Sequence, residues 1–118
     1  MTGVQTCALP IFTGLSDGAT YSLLHGLREG VPWTAIAPVS GVFHPMNFAN
    51  GNLERSAGRR IHLVHGALDW MFPVQVARQT SQALSAAGAN VTYREIDDLS
   101  HTYPREMNAE ILQWLNSP

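Results

Sequence analysis

The segment Gly14-Leu15-Ser16-Asp17-Gly18 fits the pattern G-x-S-x-G and stands directly before a stretch with helical spacing. The logic of that pattern is steric. A serine on a sharp strand-to-helix turn takes strained backbone angles, and the residues two before and two after it approach the backbone so closely that glycine is preferred. The helix that follows aims its free N–H groups at the turn, which makes the N–H of Asp17 a candidate oxyanion donor. Five residues alone are a weak pattern, and a surface turn with a serine helix cap reads the same way. The rest of the chain must decide between the two.

Outward from Gly18 the chain alternates helix-like and strand-like segments, the pattern of an α/β layered fold with a parallel sheet. From Asp17 to Arg28, Ala19, Leu23, Leu24 and Leu27 recur at helical spacing, and Gly30 with Pro32 closes the segment. Trp33 to Val39 is short, apolar and bounded by Pro and Gly, as a buried strand is. Ser40 to Arg60 carries Pro45, Asn47, Asn50, Gly51, Asn52 and Gly58, so it is expected to be a long loop or a short lid. Ile61 to His65 reads as a second buried strand ending at Gly66. Pro73 opens a helix whose stripe is Val76, Ala77, Thr80, Leu84 and Ala87, capped by Gly88. Val91 to Ile96 alternates as a third strand near a sheet edge, and Asp97 to Tyr103 is a loop. Pro104 opens a last helix with Met107, Ile111, Trp114 and Leu115 as its expected buried face. Three strands and three helices make the tail end of a doubly wound sheet, not obviously a complete one.

A serine hydroxyl is a poor nucleophile until a base takes its proton, and the base needs a carboxylate to orient it. Those partners are expected downstream in the order acid then histidine, each on the loop after a strand. Asp69 follows Ile61–His65 in the turn His65-Gly66-Ala67-Leu68-Asp69, and His101 follows Val91–Ile96 in Leu99-Ser100-His101-Thr102. Both loops lie at the carboxyl ends of strands, where ligands bind in open α/β sheets. Asp97 and Asp98 are rival acids, but they follow the third strand rather than the second. Trp70, Met71 and Phe72 after Asp69, His44 in the long loop and Tyr103 after the histidine are candidate substrate-pocket residues. Plain loop packing, or for His44 an exposed loop position, is the competing reading.

Met1 to Ile11 reads MTGVQTCALPI, which resembles the conceptual translation of a sequencing-adapter oligonucleotide, and is expected to be an artefact outside the domain. An ordinary N-terminal strand is the alternative, since Cys7 to Phe12 is apolar, but Pro10 lacks the N–H a central strand requires. The apolar run is too short and has no basic region before it, so it is not a convincing secretory signal; with any true signal expected upstream of Phe12, location is undetermined and the cytoplasm is the default.

The 118 residues allow one small domain, and 45% hydrophobic with 14% charged residues exclude a disordered tail. A net charge of −2 leaves no footprint for nucleic acid or anionic lipid. Unbroken apolar runs fall far short of the ~20 residues that span a bilayer. The single cysteine, Cys7, excludes an internal disulfide framework and a multi-cysteine metal site. His62 and His65 lie three apart on a predicted strand and face opposite sides, which makes them poor co-ligands. His65 is read as part of the turn before Asp69, and His25 as a helix packing residue. Oligomeric state leaves no trace in the sequence.

Four signposts now stand in register: Thr13 to Gly18; Ala37-Pro38-Val39-Ser40-Gly41; Leu63-Val64-His65-Gly66 leading to Asp69 and Pro73; and Leu99-Ser100-His101. Over residues 12–118 the chain resembles the C-terminal half of a serine α/β-hydrolase, nearest to the phospholipase/carboxylesterase and dienelactone-hydrolase-like esterases. The resemblance implies Ser16 as nucleophile, His101 as general base and then acid, and Asp69 as the orienting carboxylate. It implies hydrolysis of a small-molecule carboxylic ester through an acyl-serine intermediate, with no cofactor and no metal. An amide- or peptide-cleaving relative and a non-catalytic binding scaffold of the same fold are the alternatives, and a binding module has no need of all three side chains. In that family several strands come first, and a loop after an early strand gives a second oxyanion N–H; nothing here corresponds to them. Even the strand that should carry Ser16 gives way to the adapter-like segment. The expectation is therefore a partial α/β-hydrolase domain over 12–118 with its N-terminal strands missing, weak or inactive by itself.

Overall fold

The structure, a computed structural model, describes residues 11–116. Four strands form one parallel sheet in sequential order: β1 (Ile11–Leu15), β2 (Ala35–Val39), β3 (Arg60–Gly66) and β4 (Asn90–Ile96). The register sets Leu15 beside Val39, Val39 beside Val64 and Gly66 beside Ile96, so the strands end along one rim. Between β1 and β2 runs α1 (Asp17–Gly26), and between β3 and β4 runs α4 (Val74–Ala86).

The central strands are buried along nearly their whole length, as a parallel sheet covered on both faces requires. Alternation divides β3 in two. Ile61 and Leu63 point into a core with Leu23 and Leu27 from α1 and its end, Ile36 from β2, and Leu84 from α4. Each such buried aliphatic side chain contributes about 1.5–3 kcal/mol. A Cβ at Gly26 would stand 2.8 Å from the Ile36 side chain, so glycine there sets how closely α1 lies on β2. His62 points the other way and stacks on Trp114 of α5 (Asn108–Leu115), their ring centroids 5.0 Å apart. The two histidines of β3 thus serve opposite faces, as their spacing requires.

Three expectations are corrected. The sheet has four strands among the described residues rather than three, and the additional one, β1, is the strand that carries Ser16. The adapter-like run and Pro10 speak against a strand here, but Pro10 lies before Ile11, and pairing with β2 along its whole length makes Ile11–Leu15 a strand. Of the adapter-like segment, Met1 to Pro10 lies outside the described residues.

The stretch from Ser40 to Arg60 is not all loop. It holds two single-turn helices, α2 (Met46–Ala49) and α3 (Asn52–Arg55). Asn47 and Asn52, read as turn residues, are buried and used as hydrogen-bonding pegs. Asn52 Nδ2 donates to the Leu24 carbonyl at 2.8 Å and to Asn47 Oδ1 at 2.7 Å, while Arg55 Nε donates to the Leu27 carbonyl at 2.9 Å. These bonds tie both turns to α1. Finally, the last helix begins with a 3₁₀ turn, Arg105–Met107, and only Met107 of its expected buried face is buried. Ile111, Trp114 and Leu115 are half-exposed, and Ile111 and Leu115 line a cleft of about 280 Å³ with Thr13 and Ala37.

Candidate active site

Ser16 lies one residue beyond β1 and caps α1 with φ 58° and ψ −117°, a backbone region that L side chains rarely adopt. Its N–H donates to the Val39 carbonyl at 2.9 Å, and its own carbonyl accepts the N–H of Thr20 at 3.0 Å, so strand and helix share the strained residue. A Cβ at Gly14 would collide with the backbone of Gly18, whereas a Cβ at Gly18 would meet nothing within 4 Å. The expected need for glycine on both sides therefore holds structurally on one side only. Behind the turn, a Cβ at Gly41 would stand 2.6 Å from the Ala19 Cβ, and the Val42 N–H donates to Thr20 Oγ1 at 3.0 Å. The 40–42 turn braces the first turn of α1. The N–H of Asp17, in that first turn, has no intrahelical acceptor and stands beside Ser16; the Asp17 side chain is exposed.

Asp69 sits in the turn after β3, which is sewn to the loop after β4. The N–H groups of Ala67 and Leu68 donate to the carbonyls of Ile96 and Leu99, at 2.9 and 3.0 Å. Gly66 is needed there, because a Cβ would strike the Leu99 carbonyl. One carboxylate oxygen, Asp69 Oδ1, accepts the N–H groups of Met71 (2.9 Å) and Phe72 (2.8 Å). The other, Oδ2, lies 2.8 Å from His101 Nδ1. Burial is the largest influence on this carboxyl and pushes its pKa up. The hydrogen bond from His101 and those from the Phe72 and Met71 N–H groups together outweigh it, and Asp69 is held below the ordinary carboxylate value.

His101 Nε2 lies 2.7 Å from Ser16 Oγ. Because an ionised carboxylate only accepts, Nδ1 carries the proton toward Asp69 and Nε2 is left to accept from the serine hydroxyl. The ring is flanked by the edges of Phe72 and Trp70, with centroids at 5.2 and 6.1 Å. Ser16, His101 and Asp69 thus form one hydrogen-bonded chain along the rim where the strands end.

The other candidate residues are dispersed. Phe72 and Trp70 border the imidazole, Trp70 being 74% exposed, while Met71 offers its backbone N–H to Asp69 and exposes its side chain. His44 is exposed, and its Nδ1 accepts the Met46 N–H at 3.1 Å in the turn before α2. Tyr103 donates its hydroxyl to Asn108 Oδ1 at 2.6 Å and lines the cleft under α5. Asp97 and Asp98 are exposed. Sequence reasoning missed the brace from Gly41 and Thr20, for which only the glycine gave a signal. Among the described residues no group of three or more His, Cys, Asp and Glu side chains is arranged to hold a metal ion, and no helix is long and apolar enough to cross a membrane.

No curated protein matches the chain in sequence. Its fold is similar to that of esterase PE8, with 25% identity and a TM-score of 0.77 over 95% of this chain and 53% of that one. It is similar to Zea mays acyl-protein thioesterase 2, at 22% identity and TM-score 0.74, covering 87% of this chain and 53% of that one. It is also similar to Arabidopsis thaliana SOBER1, at 20% identity and TM-score 0.76, covering 96% and 56%. The chain spans about half the length of these solved structures. Residues 8–117, nearly the whole chain, match the phospholipase/carboxylesterase family. With a parallel α/β sheet that esterases and thioesterases share and a family match over that span, the chain belongs to the phospholipase/carboxylesterase family of α/β-hydrolases.

Proposed function

We propose that the protein is a serine hydrolase that cleaves carboxylic esters through an acyl-serine intermediate. The observation that carries this reading is the continuous relay from Ser16 Oγ to His101 Nε2 (2.7 Å) and from His101 Nδ1 to Asp69 Oδ2 (2.8 Å). In the first half-reaction Ser16 Oγ attacks the ester carbonyl carbon as its proton passes to His101 Nε2. The oxyanion that forms is met by the Asp17 N–H and the positive end of α1. Collapse breaks the bond to the leaving alcohol, which takes the proton from His101 Nε2. Water then attacks the acyl-serine, gives a proton to His101, and the acid departs as that proton returns to Ser16 Oγ. Asp69 stays ionised throughout and stabilises the imidazolium.

The exposed apolar side chains of Trp70 and Met71 beside the relay suit the acyl or alcohol portion of a small ester. The chain is, in this reading, a piece of such a hydrolase, whose second oxyanion donor lies in the half of the fold that its solved relatives have in addition. Its own turnover is accordingly weak. The test is covalent labelling by a fluorophosphonate followed by mass spectrometry. One adduct on Ser16, absent from Ser16→Ala, is expected; no adduct on the folded wild-type chain would overturn the reading.

A further inference from the structure

We propose that His65 is a positioning residue for the relay: its Nε2–H holds the Phe72 carbonyl and so fixes the turn that presents Asp69 to His101. Three groups of Phe72 do three jobs. Its N–H donates to Asp69 Oδ1 at 2.8 Å, its ring edge packs on His101 with centroids 5.2 Å apart, and its carbonyl accepts from His65 Nε2 at 2.8 Å. A carbonyl only accepts, so Nε2 carries the hydrogen. The same Nε2 lies 3.5 Å from Asp69 Oδ2, the oxygen that bonds His101. His65 is 2% exposed, so water cannot replace it at the Phe72 carbonyl, and an unpaired carbonyl there is costly.

His65 comes from β3, a strand buried from Ile61 to Gly66, whereas Asp69 to Phe72 is a turn with exposed Trp70 and Met71 at its tip. The histidine therefore transfers the rigidity of the sheet to the turn. Without it Phe72 is free to rotate, the N–H that pins Asp69 Oδ1 moves with it, and Oδ2 drifts from His101. An error of about 1 Å in such a geometry costs on the order of a hundredfold in rate.

The proposal rests on the relay reading of Ser16, His101 and Asp69, and two readouts on the whole chain separate the two. The first is the rate of Ser16 labelling by a fluorophosphonate against pH. The second needs no reaction at Ser16: the downfield proton resonance of His101 Nδ1–H, assigned by its loss in His101→Gln. His65→Leu keeps the bulk without the donor, His65→Gln restores an N–H at the same reach, and Leu84→Val loosens the core near the opposite ends of the strands. His65→Leu is expected to lose or broaden the resonance, to label Ser16 about ten- to a hundredfold more slowly, and to shift the pH profile. His65→Gln and Leu84→Val are expected to retain the wild-type resonance and to label within about threefold of it. A sharp, unshifted resonance in His65→Leu, or equal losses in His65→Leu and His65→Gln, would overturn the proposal. A wild-type resonance without Ser16 labelling would instead overturn the hydrolase reading and leave the positioning role to the resonance alone.

Discussion

Ser16 and Ser40 end neighbouring strands with the same unusual backbone, φ 58° and 56°, and each donates its N–H at 2.9 Å to the next strand, Ser16 to the Val39 carbonyl and Ser40 to the Val64 carbonyl. The pair forms a staircase at the rim of the sheet. Ser16 sets its hydroxyl against His101, but Ser40 is fully buried and its hydroxyl has no hydrogen-bond partner. Strain at Ser16 accompanies a half-buried hydroxyl set against His101, whereas at Ser40 it serves only to turn the chain toward Gly41.

That difference predicts the sign of a substitution. Ser40→Gly removes both the left-handed penalty and the orphaned hydroxyl, at the cost of some unfolded-state entropy. It is expected to raise unfolding free energy by about 1 kcal/mol. Ser40→Val is expected to lower it by about 1–3 kcal/mol, since a β-branched residue resists positive φ in a packed site. Urea unfolding of the three proteins checks the order, and a wild type more stable than Ser40→Gly contradicts it.

The two glycines of the serine turn are expected to respond oppositely. Gly14→Ala drives a methyl group into the Gly18 backbone, which must move together with α1. A loss of about 1–3 kcal/mol and slow labelling of Ser16 should follow. Gly18→Ala adds a methyl in open space, at a helical position whose φ is not positive. Stability should rise by up to about 1 kcal/mol, with labelling retained. Thermal melts and labelling rates measured together distinguish a steric requirement from a motif kept whole.

What could be read from the sequence follows from where each residue sits. That Ser16, Asp69 and His101 meet was legible from two signals: the G-x-S-x-G pattern for Ser16, and for Asp69 and His101 their places just after expected strands, since parallel strands bring their ends to one rim. β2, β3 and β4 were legible to within two residues at either end, the first two as short apolar runs between turn residues and β4 by its alternation. β1 was not, because the adapter-like run with Pro10 directly before it speaks against a strand, and only the pairing with β2 shows one. The helices at Met46–Ala49 and Asn52–Arg55 were hidden for a related reason: Asn47 and Asn52 look like turn residues until their side chains are seen buried and paired. His44 and Tyr103 show a different limit. Loop membership says how near a residue is along the chain, and not which way its side chain turns: His44 turns to the Met46 N–H and Tyr103 to Asn108.

Asp69→Asn should separate shape from charge at the relay. Asn Oδ1 still accepts the Met71 and Phe72 N–H groups, but an amide N–H then faces His101 Nδ1. The imidazole must take the other tautomer, with Nε2–H pointing at Ser16 and no longer able to accept its proton. Labelling of Ser16 should fall by about 10⁴-fold while the melt stays cooperative. The pH dependence follows from the lowered pKa of Asp69. A carboxyl depressed in the folded state stabilises it above the ordinary carboxylate value, and that contribution is lost as pH falls through the depressed value. Acid unfolding of Asp69→Asn should lack this part of the profile. An unchanged profile would mean that Asp69 does not carry it.

His62 supplies the opposite face of β3 with a titrating contact. Its Nδ1 lies 3.3 Å from the Thr92 carbonyl, and its buried Nε2 has no hydrogen-bond partner, the nearest carboxylate being Glu110 at 3.8 Å. Trp114 stacks on its ring and is itself covered by the Arg60 guanidinium, 4.7 Å from the ring centroid, while Arg94 lies 3.4 Å from Glu110. Burial lowers the pKa of His62; the Thr92 hydrogen bond and Glu110 oppose that shift, and Arg94 adds to it. The neutral ring is therefore preferred in the fold, and the unfolded chain binds the proton more readily. Stability present above the ordinary imidazole value must then be lost as pH falls through the lowered one. The helix that feels this is α5, which follows the loop bearing His101. His62→Phe keeps a ring against Trp114 without the titration. Its stability relative to wild type, by urea unfolding, should improve as pH is lowered from 7.5 to 5, and amide exchange in α5 should quicken in the wild type alone. A constant difference between the two proteins across that range would show that His62 does not sense pH through the docking of α5.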